Sequence, residues 1–316
     1  MAKKKEETKA KSKPAKQAKA AKSSATAPAV AKEAKETKKE TVKESAVAPA
    51  RTVKPAVTTK QDVATVLQRW HMVVGVVLAV QGLLVALVSS SKAVPVILHY
   101  PAIDTLASEA NKRQVLGVAG HQLFDIPIAY LLSAALLALA VIYIAAATNF
   151  RTQFEAVLSR GVNVARWTAY AVGGALLLDA VLLLSGVNDL FALKLLAASL
   201  VTACVAGLAV DLLGPGRPGL SKLLKVVSAV SGVVPWLAIA GILTATMLYD
   251  GTVPSYMYGV YASGFILYVA TALAILFRWQ GRGRFANALY SEKILLLLGL
   301  VTATVLTWQI FAGALL

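Results

Sequence analysis

Chemistry inside an apolar chain has to come from its few ionisable residues, and in this sequence they are sparse. Across the long apolar segments they are Asp125, Asp179 and Lys194, with His121 near the start of the second segment and Gln81 as an uncharged polar group in the first. A charge in hydrocarbon is expensive and is as a rule paired or functional. Asp179 and Lys194 each lie about seven residues from a tight connection near 186–187. In an antiparallel helix pair both then sit ~10 Å below the same surface. That predicts an intramembrane ion pair, one that fastens two helices rather than doing chemistry. The alternative is that the two face different neighbours, or that Lys194 extends its ammonium outward. The chain carries no GxSxG, HExxH, P-loop or Cys/His cluster, and its three histidines are His71, His99 and His121. No catalytic residue and no metal site is expected, and the chain does not read as an enzyme. The one cysteine, Cys204, excludes an intrachain disulfide.

The elements that must position these residues follow from where charge is missing. The 316 residues are 57% apolar and 15% charged, yet carry a formal net charge of +16. Residues 1–60 hold 17 Lys/Arg against 6 Asp/Glu, whereas residues 61–316 hold 15 against 10. Segments free of charged residues run over 70–91, 126–150, 195–210, 226–249, 251–277 and 294–316, and 167–188 is interrupted only by Asp179. Each is near the ~20 residues that cross ~30 Å of hydrocarbon. None shows the charged outer face of a soluble bundle helix or the strict alternation of a barrel strand. The sequence therefore predicts an all-α membrane protein of seven transmembrane helices, over about 67–91, 119–147, 164–186, 189–213, 225–249, 255–278 and 293–316.

Orientation follows from the loops. With the N-terminus inside, the cytoplasmic connections hold eleven basic residues: Arg69, Arg151, Arg160, Arg166, Arg217, Lys222, Lys225, Arg278, Arg282, Arg284 and Lys293. The opposite side holds Lys92, Lys112 and Arg113. This predicts a multi-pass protein of the cell membrane with a cytoplasmic N-terminus and the C-terminus outside. Residues 1–62 are rich in Lys, Ala, Glu, Thr, Ser and Pro, and read as a disordered cytoplasmic tail ahead of a transmembrane domain at 63–316. The plain reading is a solvated arm; the alternative is electrostatic adhesion to anionic lipid or nucleic acid, a case that its interspersed Glu residues weaken. The long connection 92–118 is expected to fold over the outer mouth as strands or a short helix. The connection 151–160 reads as an amphipathic helix broken by Gly161 and Asn163.

Several stretches together resemble the heliorhodopsins, the retinal proteins with a cytoplasmic N-terminus. They are LQRWHMVVGVVLAVQGLLVALVSS (67–90), RGVNVARWTAY (160–170), VVPWLAIA (233–240), VPSYMYGVYASGF (253–265) and YSEKILLLLGLVTATVLTWQIFAGAL (290–315). The likeness runs from about 65 to 316 and implies a rhodopsin-like bundle, with a homodimer by analogy.

It also implies a site that this chain has lost. The family holds retinal as a Schiff base on a lysine of the seventh helix. Counting back from Trp308-Gln309, that position is Ala303. The counterion glutamate, counted from Arg166-Trp167, falls at Ala169, and the first-helix histidine at Leu78, while Gln81 is kept. The serine of the seventh helix becomes Gly299, and those after Tyr170 become Gly173 and Gly174. Losing cation and counterion together is what removal of the chromophore would leave, since either one buried alone is costly. Lys293 lies ~15 Å from the usual depth and Lys194 near the outer end of its helix, so neither replaces the lost amine.

The former pocket, expected to be lined by Ala169, Trp236, Tyr261, Phe265, Ala303 and Trp308, is then filled by side chains or by an apolar ligand such as a lipid or carotenoid. No covalent cofactor is expected. The leading reading is a sensor, receptor or interaction scaffold with an unidentified signalling partner. Its rivals are a photoreceptor with non-covalent or atypically attached retinal, and a small transporter or channel.

Overall fold

The computed structural model describes residues 60–88, 92–249 and 251–316. The predicted tail, apart from residues 60–62, lies outside the described residues. Among the described residues, seven helices are long and apolar enough to cross a membrane. They are α1 (Lys60–Val88), α3 (Ile128–Ala147), α5 (Val164–Leu184), α6 (Leu190–Leu213), α7 (Pro218–Leu248), α8 (Ser255–Gln280) and α9 (Ala288–Ile310), the last continuing as a π-helical turn over Phe311–Leu315. The protein is an all-α multi-pass membrane protein.

Local chemistry sets the boundaries. Asn163, Asp189 and Asn287 cap α5, α6 and α9 by accepting the backbone N–H of Arg166, Ala192 and Tyr290 at 3.0, 2.8 and 3.0 Å. Pro218 opens α7, where its missing N–H costs nothing. Gly281, at φ +60°, closes α8 in the left-handed conformation that glycine adopts without strain. Between α3 and α5 the amphipathic α4 (Arg151–Leu158) buries Phe154, and Gly161 turns the chain at φ +83°. Close helix approach depends on small residues, as expected where lipid supplies no hydrophobic drive between helices. Gly207 of α6 receives the outer edge of the Trp167 indole, and Gly173 of α5 receives Leu139. One buried core joins α1, α3, α5 and α9 through residues such as Leu78, Leu136, Tyr143, Leu182 and Ile310.

The second span departs from expectation. Residues 119–127, predicted as its beginning, belong instead to strand β2 (Leu116–Pro127), which pairs antiparallel with β1 (Ala93–Ile103) from Ala93↔Pro127 to Ile103↔Leu116. The cause is pairing. The β-branched stretch Val94–Ile97 finds a partner in 122–126, and Pro127 separates strand from helix. A short helix α2 (Thr105–Asn111), capped by Asp104, forms the tip. Ile97 N donates to Asn188 O at 2.8 Å, tying the hairpin to the connection before α6.

Candidate functional site

A cavity of about 520 Å³ lies among α5, α6, α7, α8 and α9. Its walls are apolar apart from a few hydroxyls, and Lys225 is the one charged residue among the described lining. Ala169 of α5 and Ala303 of α9, both buried, line the same space, with Trp236 of α7. Gly264 of α8 makes room for that indole, since a Cβ there would meet Trp236 Cη2 at 3.0 Å.

At one end of the bundle, beyond Tyr170, four charges meet, three of them buried and Arg278 partly so. Arg166 Nη1 donates to Glu292 Oε1 at 2.5 Å and its Nη2 to Asp211 Oδ2 at 2.7 Å. Arg278 Nη1 lies 2.9 Å from Asp211 Oδ1 and its Nε 3.0 Å from Glu292 Oε1. Asn163 Nδ2 donates to Glu292 Oε2 at 2.8 Å, and Trp167 Nε1 and Trp279 Nε1 donate to Asp211 at 2.8 and 2.9 Å. The Arg166, Asp211 and Glu292 side chains are each only 2% exposed. Two cations and two carboxylates balance, and both carboxylates accept several charge-assisted bonds, the condition under which burial of ions is tolerable. The cluster joins α5, α6, α8 and α9. It can lock these helices together.

Residues 67–315 match the sequence model of the family described as Heliorhodopsin. The chain belongs to the heliorhodopsin family. No curated protein matches it. In this heliorhodopsin the cluster draws on two of the stretches that carried the resemblance: Arg166 belongs to RGVNVARWTAY and Glu292 to YSEK. Counting Arg166 and Arg278 among the loop cations hid the cluster. The available signal was the place of Arg166 and Glu292 inside those motifs.

The six expected pocket residues divide. Ala169, Trp236 and Ala303 line the cavity, whereas Tyr261, Phe265 and Trp308 do not. Helix geometry explains the division. The lining face of α9 runs through Gly299, Ala303 and Leu306, and Trp308 is turned ~140° away from Ala303. Tyr261 and Phe265 are each one residue off the Val260–Gly264–Tyr268 stripe of α8. Tyr261 Oη donates to Ser185 Oγ at 2.8 Å, Phe265 packs edge-on against Trp236, and Trp308 Nε1 donates to Gln81 Oε1 at 2.9 Å, joining α9 to α1.

Of the intramembrane polar residues, Asp179 and Lys194 are brought together, Nζ to Oδ2 at 3.2 Å, with Asp179 buried and Lys194 63% exposed. Asp125 and His121 are not in a span. Both are exposed on β2, where Asp125 accepts from Gln122 Nε2 at 2.9 Å. At the hairpin, His99 Nδ1 lies 2.9 Å from Asp189 Oδ2. The Ala192 backbone N–H, and then His99, hold the Asp189 carboxyl below its usual range. Arg151 and then Gln68 do the same for Glu155 on α4.

Proposed function

We propose that this heliorhodopsin forms no retinal Schiff base and serves as a sensor, receptor or interaction scaffold in the cell membrane. The observation that carries the reading is the pair Ala169 and Ala303, two methyl groups in one cavity where the family resemblance puts a counterion and an amine. Covalent retinal needs a mid-membrane amine and, beside the protonated Schiff base, a carboxylate. The lining residues hold no carboxylate, so they do not fit that group. The open space suits a non-covalent apolar ligand instead. The test is the visible spectrum of the purified protein with added all-trans-retinal. The reading expects no red-shifted band, and a band bleached by hydroxylamine overturns it.

One observation favours a second reading, retinal on an atypical lysine: Lys225 lines the cavity. A Schiff base there would lack a carboxylate partner and would be unprotonated, absorbing as free retinal does. Spectroscopy alone would pass over it, so reductive trapping is needed.

The N-terminus is assigned to the cytoplasm. With Arg166 and Arg278 consumed by the internal cluster, the basic count on that side falls from eleven to nine, still against three on the hairpin side. Labelling with an impermeant thiol reagent tests this, because the natural Cys204 is buried. Glu109→Cys should react in intact cells and Arg160→Cys only after lysis. A homodimer and a signalling partner belong to the same proposal.

A further inference from the structure

Helices α6 and α7 pack along one another, as do α8 and α9, whereas the backbones of α7 and α8 stand further apart and meet chiefly through the side chains of Trp236, Phe265 and Tyr268. The cavity lies behind that seam, walled by α7 from Lys225 to Ile239 and by α8 from Val260 to Trp279. Val233 and Leu273 line it and keep 39% and 44% of their surface exposed, more than a closed apolar interior leaves, so the cavity is open there. Midway along membrane-spanning helices such an opening meets acyl chains rather than water. The α7 wall is ~21 Å long, and the volume falls within the ~300–1,000 Å³ of small-molecule sites. The space is therefore long, apolar and entered from the bilayer.

One end differs from the rest. Lys225 Nζ lies 5.6 Å from the centroid of the Trp279 ring. Among the described residues it has no carboxylate within ion-pair distance. Asp211, the acid bonded to Trp279, already receives two arginines and two indoles. An ammonium held against a ring, without an anion, at the end of an apolar tunnel is a receptor for a compact anionic head.

We infer that the cavity binds a free long-chain fatty acid, with its carboxylate on Lys225 and its tail running toward Ala169 and Ala303. The inference rests on the absence of a Schiff base, because a bonded retinal would fill the same mid-membrane space. A neutral apolar molecule would leave Lys225 without an anion. A phospholipid would bring a second tail that one tunnel does not hold.

The test uses the full chain in nanodiscs of zwitterionic lipid, with cis-parinaric acid as fluorescent probe and palmitate or hexadecanol as competitor. Palmitate is expected to displace the probe at about a tenfold lower concentration than hexadecanol, the worth of one charge-assisted bond. Lys225→Met should abolish that difference and leave hexadecanol unchanged. Ala303→Phe, which shortens the tunnel, should weaken palmitate more than laurate. The inference is overturned if the probe signal equals that of empty nanodiscs, if the two competitors are equal on the native chain, or if Lys225→Met leaves palmitate unaffected. A retinal-dependent visible band in a separate sample would overturn the reading that no Schiff base forms, so the two failures are told apart.

Discussion

Arg166 and Glu292 lie 126 positions apart in the chain, and their side chains meet at 2.5 Å at one end of the bundle, each 2% exposed. This contact ties α5 to α9, and Asp211 and Arg278 extend it to α6 and α8. The lock lies one helical turn from Ala169, so the helices that wall the cavity are held at their base by ions.

Removing one carboxylate leaves two buried guanidinium groups with half their compensation. Glu292→Gln is expected to cost about 3–5 kcal/mol. Thermal unfolding in detergent measures it. Replacing Arg278, the more exposed cation at 13%, should cost less than replacing Arg166.

Gly207 has no room for a larger side chain because the edge of the Trp167 indole fills the place a Cβ would take. Gly207→Val should displace that indole, break its bond to Asp211 and destabilise the bundle by about 1–3 kcal/mol. The expected signature is a lowered melting temperature with a change in tryptophan emission.

The hairpin anchor should respond to acid. The Asp189 carboxyl is held below its usual range, so its contribution is fully present above the unfolded pKa and is lost as pH falls through the folded one. The melting temperature of the native chain should therefore drop on acidification from about pH 5 to about pH 3. Asp189→Asn keeps the cap on Ala192 but removes the charge, and should flatten part of that drop. Glu155, also held low, accounts for a further share. Equal acid sensitivity in both proteins would contradict the assignment.

On the proposed reading, an amine at position 303 and a carboxylate at position 169 should create a pigment. Ala303→Lys with Ala169→Glu, incubated with retinal, is expected to yield a visible band. Ala303→Lys alone should give an unprotonated, near-ultraviolet species, because a buried cation without a counterion loses its proton. Hydroxylamine bleaching of the band checks the linkage.

The seven helices were readable because hydrocarbon excludes charge, and long runs without Asp, Glu, Lys or Arg mark them directly. The start of α3 was not. GVAGHQLFDIP is apolar enough to look continuous with the helix, and only its pairing with Ala93–Ile103 makes it a strand. Ala169 and Ala303 were found through the family resemblance, whereas Trp308 and Phe265 could have been set aside by counting helical faces. The ion cluster was hidden because Arg166, Asp211, Arg278 and Glu292 stand near helix ends, where a single charge looks solvated. Their mutual neutralisation exists only once four helices are assembled.

The central claim is that no lysine of the membrane domain bonds retinal. Borohydride trapping after incubation with all-trans-retinal, followed by intact mass and peptide mapping, tests it whatever the protonation state of the bond. An unmodified membrane domain is predicted. A stoichiometric retinyl adduct on Lys194, Lys225 or Lys293 would contradict the account.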